Sequence, residues 1–275
     1  MMASPRWCFV NGKIVSVQNA NINVRNLGLQ RGYGVFEFIR MYGGVPFRLA
    51  EHLARLKNSA RALYLSLPIS AQRIERIIGF LLEKNKIGEA DIRILVLAKN
   101  FDKDAKSFSS DICILLEQPH TYPQSAHTKG IKLITKEHQR EFARAKTINY
   151  LSAFHDHIRR LRRGALETLY VSNGKALECT TSNFFIFRRN VLITPRRDIL
   201  LGITRKFVLS LARKYFVIQE RNIRLQELRG ASEAFIAATN KEIMPVIKID
   251  SLRIGNGKAG VNTKFLITLF EDAVR

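Results

Sequence analysis

The sequence predicts a mixed α/β protein built as two lobes. Three observations carry that expectation. Short strand-like runs alternate with helix-like apolar spacing along the whole chain. One stretch poor in apolar residues and holding two prolines, QPHTYPQSAHTKG, interrupts the alternation at about residues 118–130. No internal repeat or low-complexity segment is visible. At 275 residues the chain can bury one large core or two moderate ones, and 46% hydrophobic with 25% charged residues excludes a disordered chain.

The elements follow in order. WCFVNGKIVSV is a hairpin turning at Asn11-Gly12, since both residues tolerate the positive φ of a tight turn. FEFIRMYGGVPF is a second hairpin. Leu53, Leu56, Ala60 and Leu63 recur at helical spacing in EHLARLKNSARALYL, as do Ile74, Ile77, Ile78, Leu81 and Leu82 in the next helix, which is expected to stop near Gly88. IRILVLA and ICILLEQP are buried strands. Beyond the linker, IKLIT is a strand and the chain passes through Lys146 into a helix. ETLYVSNGKALE, turning at Asn173-Gly174, and NFFIFRRNVLITP are hairpins. A helix starts at about Thr204, more strands follow, and FLITLFEDAV is the last helix.

Composition narrows the function. Three widely spaced cysteines, Cys8, Cys113 and Cys179, make neither a disulfide framework nor a CxxC pair, which fits a reducing cytoplasm. MMASPRWCFVNG reaches a polar turn before any apolar run could serve as a signal core, and no run approaches the ~18 apolar residues of a membrane span. The net charge of +22 is spread over both halves. Its densest cluster, RRLRR at 159–163, precedes Gly164 and reads as a solvated helix end, where cations meet the helix dipole favourably. No nucleic-acid-binding signature accompanies it. A basic nucleic-acid-binding protein is the reading outside enzymes, and loss of DNA binding at physiological salt separates the two.

The inventory of motifs holds no GxxxxGK[ST] loop and no full GxGxxG, and GYG at 32–34 is weak support for a nucleotide. His155 and His157, two apart on a helix, face different ways and make no metal pair. Lys146, in RAKTINYLSAF, heads a mostly apolar stretch, and partial burial would favour its neutral, nucleophilic form. Glu178, beside Leu177 in ALECTTSN, needs a cation or a donor if buried. Thr204, in GITR at a helix start, offers backbone N–H groups and a hydroxyl to an anion, or serves as an ordinary cap.

The ordered set RGYGVFEFIR, HLARLKNSA, AKTINYL, LECTTSNFF, GITR and EIMPV resembles the class IV aminotransferases, pyridoxal-phosphate enzymes of fold type IV. That family includes branched-chain and D-amino-acid transaminases and 4-amino-4-deoxychorismate lyase. The resemblance implies an α+β fold of two domains. The first is an N-terminal α/β sandwich over 1–120, and the second a C-terminal pseudo-barrel over 121–275 that carries the Schiff-base lysine. It implies pyridoxal 5'-phosphate as cofactor, no metal, and a homodimer. Lys146 matches the Schiff-base lysine, which also moves the substrate Cα proton, and Glu178 matches the carboxylate facing the pyridine nitrogen. Arg55, Ile203, Thr204 and Thr239 match phosphate-holding positions. Tyr150 matches a tyrosine near the ring hydroxyl, and Arg31 and Arg93 match arginines that bind the substrate carboxylate. The chain departs from the family at Gly32-Tyr33-Gly34, where GDG is common, and at Glu178-Cys179-Thr180, where EGT is common. The implied reaction moves an amino group between a branched-chain or D-amino acid and a 2-oxo acid by a ping-pong cycle, with the lyase as the alternative.

Overall fold

Asn11 and Gly12 take φ values of 47° and 89°, and these left-handed conformations fold β1 (Trp7–Val10) back onto β2 (Lys13–Ser16), as the hairpin signal predicts. The computed structural model describes residues 5–101 and 106–274. Two compact units divide the chain, Met1–His120 with Ala145–Asn149 and Thr121–Arg144 with Tyr150–Arg275.

In the first unit, α1 (Leu27–Arg31), β3 (Gly34–Tyr42), β4 (Val45–Pro46), α2 (Leu49–Ala62), α3 (Ala71–Asn85), β5 (Asp91–Phe101) and β6 (Phe108–Glu117) follow in order. Their strands form an antiparallel sheet in the order β2-β1-β6-β5-β3-β4. Leu53, Leu56 and Ala60 of α2 and Ile74, Ile78 and Leu81 of α3 pack on Val35, Ile39, Ile92, Ile94 and Val96, alternate residues of β3 and β5. That alternation is the period-2 pattern of a sheet with one face committed to the core. α3 ends before Gly88 because Lys86 already adopts the left-handed conformation, φ 55°.

β4 pairs with β3 only at Met41 and Tyr42, so the opposite end of β3 has an unused edge. The Ala145–Asn149 segment fills it. Phe36 N–H donates to Lys146 O at 2.9 Å, Ile148 N–H donates to Gly34 O at 3.0 Å, and Val35 bridges Thr147. The sequence reading assigned Lys146 to the second domain. Its backbone instead finds its partners on β3, because peptide groups seek an open strand edge whatever the chain order. The helix expected after Lys146 begins only at Leu151.

The second unit holds α4 (Gln124–Thr128), a short helix within the expected linker, then β7 (Ile131–Glu137), α5 (Leu151–His155), α6 (His157–Arg162), β8 (Glu167–Ser172), β9 (Lys175–Cys179), β10 (Asn183–Arg188) and β11 (Val191–Thr194). After these come α7 (Ile203–Ala212), β12 (Val217–Glu220), β13 (Ile223–Arg224), β14 (Glu233–Ala238), β15 (Glu242–Ile249), β16 (Leu252–Arg253) and α8 (Val261–Val274). The path β10-β14-β15-β7-β8-β9 returns to β10 through a pairing of Asn183 with Glu178, closing the sheet into a barrel. Inside pack Leu133, Leu169, Phe184, Ile236 and Met244. The rings of Phe185 and Phe235 stack 4.5 Å apart, and Phe207 of α7 meets Phe270 of α8 at 5.3 Å. β10 is apolar on both faces, hence its uninterrupted FFIF run. The arginine cluster sits at the end of α6, where Gly164 takes φ 61°, and all three cysteines are free and buried.

Candidate active site

Glu37 lies on β3 in the same alternating set as Val35 and Ile39, so it points toward α2 and is fully buried. His52, Arg55 and Ser59 lie three and four residues apart on α2, on one helical stripe. Arg55 clasps Glu37 bidentately, Nε to Oε1 and Nη2 to Oε2, both at 2.7 Å. His52 Nδ1 lies 2.7 Å from Glu37 Oε2 and must carry the proton, since the carboxylate can only accept. Burial alone would push the Glu37 carboxyl up, but Arg55 and His52 outweigh it and hold it at about 2. Burial keeps His52 below the usual imidazole range despite Glu37. Ser59 Oγ accepts the Lys146 N–H at 3.1 Å, and Lys146 Nζ lies 4.3 Å from the centre of the Phe36 ring. Lys146 is thus anchored through its backbone to α2, the helix that carries Arg55, and Arg55 Nη1 takes no part in the clasp on Glu37.

In the second unit Glu178 ends β9, almost fully buried. Arg140 Nε stands 3.2 Å from its Oε1, and Leu200 N–H donates to its Oε2 at 3.0 Å. The Arg140 guanidinium lies 5.3 Å from the Tyr150 ring and 5.6 Å from that of Tyr170, and its Nη2 donates to Thr180 O. Burial works against the charge on Arg140, yet Glu178 and the two tyrosines raise its pKa overall. Sequence reasoning missed Arg140: it is one of several cations in a polar stretch, and only the three-dimensional fold sets it against Glu178. Glu178 has the cation it was expected to need.

Asn183, opposite Glu178, donates from Nδ2 to Leu200 O at 2.7 Å. A Cβ on Gly202 would lie 2.2 Å from Asn183 Oδ1, so any larger residue there requires the Asn183 side chain to shift. Gly202 leads into α7 with no side-chain cap, and the first intrahelical bond is Lys206 N–H to Gly202 O. The buried Ile203 and Thr204 therefore present N–H groups at a helix N-terminus ahead of the hydrogen-bond ladder. Thr239 lies in the turn after β14, just past Ala237, which pairs with Asn183. Glu178, Ile203, Thr204 and Thr239 converge on the neighbourhood of Asn183. A buried carboxylate held by a cation, beside an uncapped helix start and two threonine hydroxyls, suits a ligand with a protonated nitrogen and an anionic group.

Of the two arginines expected at the substrate carboxylate, Arg93 lies 5.9 Å from the Phe36 ring, the ring that also faces Lys146 Nζ. Arg93 makes a bidentate pair with Glu117 at 2.6 and 2.8 Å and lies 5.1 Å from the Phe38 ring. It sits on an inner strand, not an edge. Arg31 is exposed at the end of α1. Among the described residues no group of acidic, histidine and cysteine side chains could hold a metal, and no helix is long and apolar enough to cross a membrane.

The family profile of amino-transferase class IV matches residues 34–249. The chain belongs to the class IV aminotransferases. It is 33% identical, over 96% of its length and 95% of the relative's, to a protein of Methanocaldococcus jannaschii named provisionally as a branched-chain-amino-acid aminotransferase. It is 28% identical to the D-alanine aminotransferase of Bacillus licheniformis, over 96% of this chain and 95% of the other. Among solved structures, the branched-chain amino acid aminotransferase of Escherichia coli superimposes with a TM-score of 0.89 at 27% identity, covering 98% of this chain and 94% of that one. The T.th. branched-chain amino acid aminotransferase with pyridoxamine 5'-phosphate also gives 0.89 at 27% identity, covering 100% and 95%. The activity of this aminotransferase is amino-group transfer, the two-domain fold type IV architecture is its fold, and the lyase reading is not favoured.

Proposed function

We propose that this aminotransferase holds pyridoxal 5'-phosphate and moves the amino group of branched-chain amino acids to 2-oxo acids. The observation that carries the reading is the Arg140–Glu178–Leu200 arrangement beside the uncapped start of α7. Pyridoxal phosphate supplies an electron sink for the pair left behind when a substrate Cα proton departs. Glu178, paired with Arg140, would face the ring nitrogen, keep it protonated and so maintain that sink. Ile203 and Thr204 N–H groups and the Thr204 and Thr239 hydroxyls would hold the phosphate, Arg55 is a further candidate for it, and Tyr150 would stand near the ring hydroxyl. Lys146 would be the residue that holds the cofactor covalently and, once free, would serve as the base that takes the substrate Cα proton and returns it. Arg31 receives the substrate carboxylate, and Arg93 does so if it exchanges Glu117 for it.

Two solved neighbours support the choice of cofactor, one with pyridoxamine 5'-phosphate and one with N-(5'-phosphopyridoxyl)-L-glutamate. The branched-chain names of the structural neighbours favour branched-chain donors. The D-alanine aminotransferase relatives carry the second reading, a D-amino-acid donor. The test mixes cofactor-loaded protein with one donor and no acceptor. L-Valine, L-leucine or L-isoleucine should convert the cofactor absorbance to that of the pyridoxamine form with one 2-oxo acid released per site. Conversion by D-alanine alone would replace the first reading by the second.

A further inference from the structure

Glu167, at the start of β8, is fully buried and accepts from donors on three consecutive residues and from a lysine. Thr181 N–H reaches its Oε2 at 3.0 Å, the Thr181 hydroxyl reaches its Oε1 at 2.7 Å, the Ser182 hydroxyl reaches Oε1 at 2.6 Å, and Thr180 Oγ1 donates to Oε2. Lys241 Nζ, itself buried, lies 3.0 Å from Oε1 and donates to Thr181 Oγ1 at 2.7 Å. The carboxylate's lone pairs are saturated, and three consecutive hydroxyls converge on one group.

Those hydroxyls belong to the short turn, residues 180–182, between Glu178 and Asn183, the one residue pair through which β9 and β10 close the barrel. Lys241 belongs to the turn between β14 and β15 that also carries Thr239. The ion pair therefore ties together two turns, each bearing a residue of the site. We propose that Glu167 and Lys241 are positioning residues for amino transfer: their pair locks the 180–182 turn to the 239–241 turn and so fixes Glu178 toward the cofactor nitrogen and Thr239 toward its phosphate.

The inference rests on the cofactor reading above. Stability alone does not explain the pair, because a buried ion pair is often no more stabilising than apolar side chains of similar volume. What a saturated carboxylate adds is one fixed arrangement of its donors. Burial opposes both charges, yet each partner holds the other ionised, with Glu167 at about 2 and Lys241 above the usual lysine range.

The test uses holoenzyme carrying a cofactor labelled with nitrogen-15 in the ring, whose resonance reports protonation of that nitrogen without turnover. The variants are Glu178→Gln, the double variant Glu167→Gln with Lys241→Met, which leaves no lone buried charge, and the milder Thr181→Val. The double variant should move the resonance toward the unprotonated position, with Glu178 unchanged in sequence. Its kcat should fall about 10–100-fold, the range seen when residues behind a ligand are removed. Thr181→Val should move the resonance part of the way, and it decides the matter alone if the double variant does not fold. A lowered melting temperature with the resonance where the wild type has it would make the pair structural only and overturn the proposal. If Glu178→Gln leaves the nitrogen protonated, the role given to Glu178 fails first and the proposal falls with it.

Discussion

Replacing Glu37 by glutamine should destabilise the first unit at neutral pH and nearly spare it in acid. The carboxyl is held at about 2 instead of its ordinary 4.5 by Arg55 and His52, against the opposing effect of burial. At 1.36 kcal/mol for each pH unit, that depression is worth roughly 3 kcal/mol at pH 7. A folded-state value below the unfolded one means the contribution is complete above pH 4.5 and is lost as pH falls through about 2. Glutamine cannot ionise, so it lacks this contribution at every pH and leaves the Arg55 guanidinium buried without its counter-ion. The sequence contains one tryptophan, Trp7, in the first unit with Lys84 Nζ 4.2 Å from its ring, so its fluorescence follows that unit during urea unfolding. The destabilisation should be about 3 kcal/mol at pH 7 and should shrink steadily from pH 4.5 toward pH 2.5. A loss below about 1 kcal/mol at pH 7, or one of equal size at pH 7 and pH 3, would refute the reasoning.

Three further outcomes are expected. Borohydride reduction of the holoenzyme followed by peptide mapping should place the cofactor on Lys146, and a label on any other lysine would remove that assignment. Gly202→Ala, with backbone angles that alanine accepts, should displace Asn183 and its bond to Leu200 O, weakening cofactor affinity on the order of tenfold in equilibrium dialysis. Arg140→Met should leave Glu178 without its buried cation and lower kcat, while Arg140→Lys keeps the charge, loses the fork that also reaches Thr180 O, and should recover only part of the rate.

The elements that can be read from the sequence are those whose signals are local. Asn11-Gly12 and Asn173-Gly174 turn where their conformational freedom allows, and the apolar spacing of α2 and α3 marks the faces they bury. Lys146, Glu178 and Thr204 stand out because motifs surround them. The partners that give them their setting do not. Glu37 sits in an apolar strand where one carboxylate looks like an irregularity, and its meaning appears only when β3 brings it under His52 and Arg55. Arg93 could not be matched to Glu117 without the register that pairs β5 with β6, which sets Glu117 opposite Asp91, two residues along. Nor could local signals show that the Lys146 backbone would complete the edge of β3, because edge vacancy is a property of the whole sheet.

The free margins of the two sheets bear on how so strand-rich a chain avoids sticking to itself. An unpaired strand edge is a template for another chain. Here β2 has four residues and begins with an exposed lysine, β4 has two and includes Pro46, which lacks an N–H to offer, β12 has four with alternate residues exposed, and β13 has two. The long, apolar strands β3, β5, β6, β10 and β15 all lie between neighbours. The margins are therefore too short to seed a growing cross-strand stack, and the excess of 45 basic over 23 acidic residues adds mutual repulsion between copies. Concentrated protein should stay dispersed at low salt for as long as both sheets remain folded.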